Sequence, residues 1–228
     1  MIVCDSFVFL HLHKSGGTFI GRMMMTCIAS ARRIGYHLPY SETPRELRHL
    51  PVLGSVRNPW SYYVSWFHFQ KAQVQPNALY AICSEDGTLD FNGTIRNLVG
   101  LHNDPSRVDR LIKAFPDAYV SHGLNLRKSC ISAILGQGVG FYTFLFQRLY
   151  SGARPVIIPM ESLREGFARR DLHLSARETM RVQSFLRSAP DLNVSAHGAY
   201  KDYYADDVRE LIARFDAPTI NAFNYSFA

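Results

Sequence analysis

Several things are missing from this 228-residue sequence, and each absence removes a class of function. There is no Cys-x-x-Cys pair: Cys4, Cys27, Cys83 and Cys130 are scattered. That spacing argues against a zinc ribbon or knuckle and leaves four buried thiols, and no metal, as the expectation. Lys and Arg form no run interleaved with aromatic residues, so no nucleic-acid partner is expected. Apolar stretches fall short of the ~18 residues a membrane helix needs, and no charged segment followed by an apolar one opens the chain. We therefore expect a soluble protein, most simply cytoplasmic, with no membrane segment, and we read the sequons at Asn92, Asn193 and Asn224 as chance matches. With no repeat, low-complexity tract or linker, residues 1–228 are expected to form one domain.

What is present is globular in kind. The chain is 47% hydrophobic and 19% charged, with 15 Phe and 12 Tyr to fill a dense interior. A net charge of +6, with nine His in reserve near neutral pH, suits an anionic ligand such as a nucleotide or an acidic glycan.

Two local patterns organise the chain. "SFVFLHL" (6–12) is a run of strand formers that ends at "HKSGGT", and "TFIGRMMMTCIASARR" (18–33) follows with apolar residues at helical spacing. Its Met stripe reads as core packing. The second apolar run, "PVLGSV" (51–56), meets "RNP" and then "WSYYVSWFHFQKA", with Asn58 as an N-cap and Pro59 in the first helical turn. Two strand–turn–helix units imply an α/β fold with a parallel sheet, and two helix N-termini at one sheet edge. Residues 72–92 read as a loop or insertion. Helices are expected at 94–100, 106–114, 125–135, 138–150, 175–188 and 203–214, with a strand at 154–160.

The glycine loop is suited to phosphate. Gly16 and Gly17 let the backbone wrap closely, so that the N–H groups from Lys14 to Thr18 face an anion and the helix dipole adds attraction. Thr18 adds a hydroxyl and Lys14 a mobile charge. A nucleoside triphosphate loop, GxxxxGK[ST], would set its lysine after the glycines, beside a hydroxyl for Mg²⁺. Here the lysine comes first and no aspartate ends a nearby strand, which counts against a P-loop small-molecule kinase. Arg57 ends the second strand, and Ser65 lies eight residues later, about two turns into the following helix. A guanidinium and a hydroxyl so placed suit a second phosphate, so the two motifs together point to a ligand with two separated phosphates.

"HLHKSGGTFIGR" followed by "VRNPWSYYVSWF" resembles the two signatures of sulfotransferases that use 3′-phosphoadenosine 5′-phosphosulfate (PAPS). The first is similar to their 5′-phosphosulfate loop and the second to their R-[DN]-P-x-x-x-x-x-S motif. The chain looks most like the carbohydrate group, the heparan sulfate 2-O- and 6-O-sulfotransferases and their bacterial relatives. "FNGTIRNLVG", "IIPMESL" and the C-terminal "AYKDYYADDVRELIARFDAPTINAFNYSF" match in the same order, and 72–92 is unmatched.

The resemblance implies a P-loop-NTPase-like three-layer fold, with a central parallel sheet flanked by helices. It also implies transfer of a sulfuryl group from PAPS to a hydroxyl of a carbohydrate acceptor, releasing the 3′,5′-bisphosphate (PAP) without a metal. Carried over, Lys14 meets the phosphosulfate, Ser15, Gly16, Gly17 and Thr18 cradle the 5′-phosphate, and Arg57 and Ser65 hold the 3′-phosphate. Many members have a second Arg where this chain has Tyr62, and Lys201 is one candidate to replace it. In the heparan-type enzymes the base precedes the 3′-phosphate Arg by about twenty residues, a position that His37 occupies here. His68 and Glu42 are alternative bases. His11 fits the first motif as a support for the loop, His13 sits at a variable position, and His197 precedes "YKDYY". A non-catalytic glycan-binding module on a degenerate nucleotide fold is the alternative from a different class.

Overall fold

The computed structural model describes residues 1–120, 124–190 and 197–227; Asn193 lies outside them. In chain order the strands are β1 (Ile2–Val3), β2 (Val8–Leu10), β3 (Arg32–Arg33), β4 (Val52–Val56) and β5 (Val156–Pro159). The helices are α1 (Gly17–Cys27), α2 (Pro59–Lys71), α3 (Ala78–Cys83), α4 (Phe91–Val99), α5 (Pro105–Ala114), α6 (Lys128–Ile131), α7 (Phe141–Tyr150), α8 (Leu163–Ala168), α9 (Ala176–Ser188), α10 (Asp206–Phe215) and α11 (Ala217–Ala222). The class is α/β, and the chain divides into two compact units: 1–57 with 148–194, and 58–147 with 195–228.

The first unit contains the whole sheet, in the order β3-β1-β2-β4-β5. β2, β4 and β5 are parallel, with Val8 opposite Val52 and Leu53 opposite Val156. These strands are short and almost wholly apolar, as suits parallel strands covered on their faces. The expectation of a parallel sheet needs correction at one side: β1 runs antiparallel to both β2 and β3, so the sheet is mixed. The cause is local. Only four residues join Val3 to Val8, closed by a bond from Cys4 N–H to the Phe7 carbonyl, and a connection that short permits only an antiparallel return. Phe19, Ile20, Met23, Met24 and Cys27 of α1 pack with Phe9, Leu53, Ile158 and Phe167 in one buried cluster, which α9 completes with Val182 and Leu186. Met23 and Met24 are therefore core residues, as their spacing suggested, while Met25 is exposed.

The second unit is helical. α2 begins as the sequence indicates: the Asn58 side chain accepts from the N–H groups of Trp60 and Ser61, and Pro59 opens the first turn. Tyr62, Tyr63, Val64, Trp66 and Phe67 are all buried, so α2 runs through the interior of its unit. α3 lies within the stretch read as a loop. Asn77 caps it by accepting from Tyr80 N–H, and Leu79, Ile82 and Cys83 are buried. Six helical residues are too few to show a period in sequence. The helix expected at 125–135 is shorter, a turn of α-helix at Lys128–Ile131 followed by a 3-10 turn. All four cysteines are buried thiols.

Candidate functional site

The chain leaves β2 at Leu10 and forms a tight turn over residues 13–16 before α1 starts. Two residues there hold the turn's shape. Gly16 is the N-cap and adopts φ 79°, a left-handed conformation, and a Cβ on it would come within 2.9 Å of Leu163 Cδ2. A Cβ on Gly17 would fall inside the His11 ring, so that imidazole packs directly on the backbone of the first helical turn. Gly16 has no side chain with which to cap α1, and the start of the helix offers its dipole to an anion. Not every amide of the loop is available, because Ser15 N–H already donates to the Leu12 carbonyl. The Ser15 side chain is buried and donates to His13 O, whereas Thr18 is exposed.

Lys14 is also left-handed, at φ 56°, where a residue with a Cβ is strained. What holds it there is visible: an Arg57 Nη1 hydrogen donates to the Lys14 carbonyl at 3.2 Å. The same contact ties the end of β4 to the loop after β2 and sets two cations side by side. Burial first, then the Arg57 charge, bring the Lys14 ammonium down to a pKa of about 8, so it is charged at neutral pH but not by a wide margin.

His37 is the second non-glycine residue strained in this neighbourhood, at φ 55°. It is buried, at 5% exposure, and its ring lies 4.9 Å from that of His11 and 5.9 Å, edge-on, from that of His13. His11 also stacks on Phe9 at 6.3 Å. The pKa values of His11 and His13 both lie well below the ordinary histidine value, chiefly through burial and next through the facing His37. Lys14, Ser15, Gly16, Gly17, Thr18, Arg57 and His37 are thus gathered in the first unit, together with two imidazoles that contact His37.

His13, which the sequence placed at a variable position, has its ring beside that of His37, a contact between two loops that sequence spacing does not show.

The remaining candidates lie elsewhere. Ser65, in the middle of α2, belongs to the second unit and is 2% exposed. Tyr62 is fully buried against Tyr142, with ring centroids 4.3 Å apart, and so serves the core of that unit. His68 packs on Tyr203 at 4.8 Å and His197 at 5.5 Å, and its pKa is lowered by partial burial and then by His197. Lys201 and Glu42 are exposed in 3-10 turns. Among the described residues no group of three or more His, Cys, Asp or Glu is placed to hold a metal ion, and no helix is long and apolar enough to cross a membrane. Set against known proteins, the chain matches no protein-family model and no curated protein.

Proposed function

We propose that this chain is a PAPS-dependent sulfotransferase on a P-loop-like fold, moving a sulfuryl group to a hydroxyl of an acceptor, with a carbohydrate as the acceptor class. The observation that carries this reading is the strained Lys14 at the strand end, braced by Arg57 before the N-terminus of α1, with the adjacent His13 part of a buried imidazole cluster. Strain at Lys14 and at His37, in two loops of one unit, is characteristic of sites where geometry matters more than stability.

In this reading the start of α1 binds the 5′-phosphate through its remaining amides and its dipole. Lys14 stabilises the negative charge that grows on the phosphate oxygen as the S–O bond breaks, which is where a preorganised cation contributes most. His37 takes the proton from the acceptor hydroxyl as its oxygen bonds to sulfur, and the electron pair of the broken bond leaves with the phosphate. Arg57 supplies a second cation for the nucleotide's other phosphate. Ser65 is assigned to that phosphate by the resemblance alone.

The test is retention on immobilised adenosine 3′,5′-bisphosphate, followed by incubation of the eluted protein with radiolabelled PAPS and a panel of glycan acceptors. Elution by the bisphosphate and label on a glycan are expected. Elution by ATP–Mg²⁺ in its place would move the reading to a kinase. Glycan binding that survives Lys14→Ala, with no transfer to any acceptor, would move it to a binding module.

A further inference from the structure

Far along the chain from Lys14, the second unit holds a cavity of its own. It lies where α2 ends, has a volume of about 340 Å³, and is lined by Phe69, Gln70, Gln73, Val74, Gln75 and Asn77. Four of the six are carboxamides and none carries a charge, in a chain whose net charge is +6. Lys71, the nearest charged residue along the chain, is not part of the lining, and its ammonium lies over the Phe67 ring at 5.8 Å. Gln73, Val74, Gln75 and Asn77 fall within 72–92, the stretch that the sulfotransferase resemblance leaves unmatched.

The backbone has already fixed which way three of these carboxamides face. The buried Gln70 accepts through Oε1 from Asn77 N–H at 2.9 Å, which leaves its NH₂ group to donate. Asn77 accepts through Oδ1 from Tyr80 N–H at 2.9 Å, and its Nδ2 is buried with no hydrogen-bond partner among the described residues. Gln73 is the reverse case: Nε2 donates to the Phe69 carbonyl at 3.0 Å, which leaves Oε1 to accept. The lining therefore offers donors and an acceptor of set orientation beside the apolar Phe69 and Val74. A buried donor without a partner is costly, and a ligand oxygen entering the cavity would satisfy it.

We infer that this cavity is a binding site for an uncharged sugar in its pyranose form. Other ligand classes fit the lining less well. An anion finds no cation there. A purely apolar ligand would leave the carboxamides without partners. An extended peptide needs a groove several residues long, whereas about 340 Å³ is near the lower end for ligand cavities. A pyranose has hydroxyls around its rim that both donate and accept, and C–H groups on its faces for Phe69 and Val74. The inference does not rest on the sulfotransferase reading, and it holds equally for a chain that transfers nothing.

The test is an NMR titration of the full chain with methyl α-glucopyranoside, methyl β-galactopyranoside and N-acetylglucosamine, read on the side-chain NH₂ resonances of Gln and Asn. For at least one of these sugars, the signals of Gln70, Gln73 and Asn77 should shift along a saturating curve. A Kd of about 1–10 mM is the scale for a ligand with so few contacts. Glucuronate, which brings a charge, and sorbitol, an open chain, should leave the signals unshifted over the same range. Asn77→Asp keeps the acceptor for Tyr80 N–H and loses the buried donor, so it should weaken binding roughly tenfold. Gln73→Ala, at an exposed position, should weaken it about threefold and leave the fold intact. No saturating shift with any of the three sugars would overturn the inference. So would equal shifts with glucuronate or sorbitol, or a Gln73→Ala protein that binds as the wild type does; neither result depends on whether Asn77→Asp folds. Because no nucleotide is present, a negative result leaves the sulfotransferase reading standing, and a chain that binds the sugar but transfers no sulfate leaves this site standing.

Discussion

Each unit buries a polar cluster, and the two are built differently. In the second unit the Asp216 carboxylate accepts from the Tyr63 hydroxyl at 2.7 Å and from Thr143 N–H at 2.8 Å, Tyr63 accepts in turn from Tyr142 N–H, and the Thr143 and Thr219 hydroxyls share a bond of 2.9 Å. In the first unit His11, His13 and His37 crowd together beside Lys14 under positive charge, with Lys14 and His37 at strained backbone positions. The unit totals agree with this contrast. The first has 15 Lys and Arg against 8 Asp and Glu, and Lys14 is its only lysine; the second has 10 against 11. A network of mutually satisfied groups fixes a core. A set of desolvated titratable groups crowded beside cations destabilises the fold, and such sets are found where an anionic ligand offsets the cost.

The contrast can be broken most directly at Lys14. Lys14→Ala should reduce turnover by roughly a thousandfold, the scale for losing one preorganised contact to developing charge. It should not destabilise the protein. The shift of the Lys14 pKa from 10.5 to about 8 corresponds to about 3 kcal/mol held against the folded state at neutral pH. Lost packing of the lysine stem cancels part of that, which leaves a gain of about 1–2 kcal/mol. Sulfate-transfer kinetics beside thermal denaturation measure both effects, and a lower midpoint for the variant would mean that Lys14 stabilises the fold.

Asp216 gives the opposite outcome. Asp216→Ala at pH 5 should cost about 3 kcal/mol, because the Thr143 N–H and Tyr63 hydroxyl are left buried without their acceptor. Burial raises the Asp216 pKa from 3.8 to about 6. Between those values the folded state keeps a proton that the unfolded state has lost, so stability falls as pH rises through that window. The slope amounts to on the order of 3 kcal/mol between pH 4 and pH 7, and it should disappear in Asp216→Asn. Denaturant melts of both proteins across that range measure it, and parallel curves would remove Asp216 from the account.

How much of this was legible in the sequence varied with the length of the signal. β4, α2, its Asn58 cap and the parallel pairing of β2 with β4 follow from apolar runs and capping chemistry. β1 and β3 have two residues each, too few for any period, and their pairing depends on contacts distant in sequence. The turn after β2 was legible because Gly16 and Gly17 follow an apolar run of strand formers and precede a run with helical spacing. That Arg57 pins the Lys14 carbonyl and that His13 faces His37 depends on where strand ends and a loop meet in space, which spacing does not encode. Asp216 was invisible for the same reason, since its partners lie 73 and 153 residues away along the chain.

The smallest expected effect concerns binding, and it sharpens the contrast between a cluster that waits for a ligand and one already satisfied. Lys14 is charged below about pH 8 and loses its proton above it. An anion at the loop favours the charged form, so affinity for adenosine 3′,5′-bisphosphate should be level from pH 6.5 to 7.5. It should then fall as pH rises, by up to about tenfold per pH unit where one proton accompanies binding. Calorimetry at pH 8.5 in buffers of different ionisation enthalpy should show proton uptake on binding, and Lys14→Ala should abolish it. Asp216→Asn should leave the uptake unchanged, since that carboxyl is already ionised at pH 8.5 and has its partners within its own unit. If uptake persists in Lys14→Ala, the proton goes to another group of the cluster, and the imidazoles rather than the ammonium respond to the phosphate.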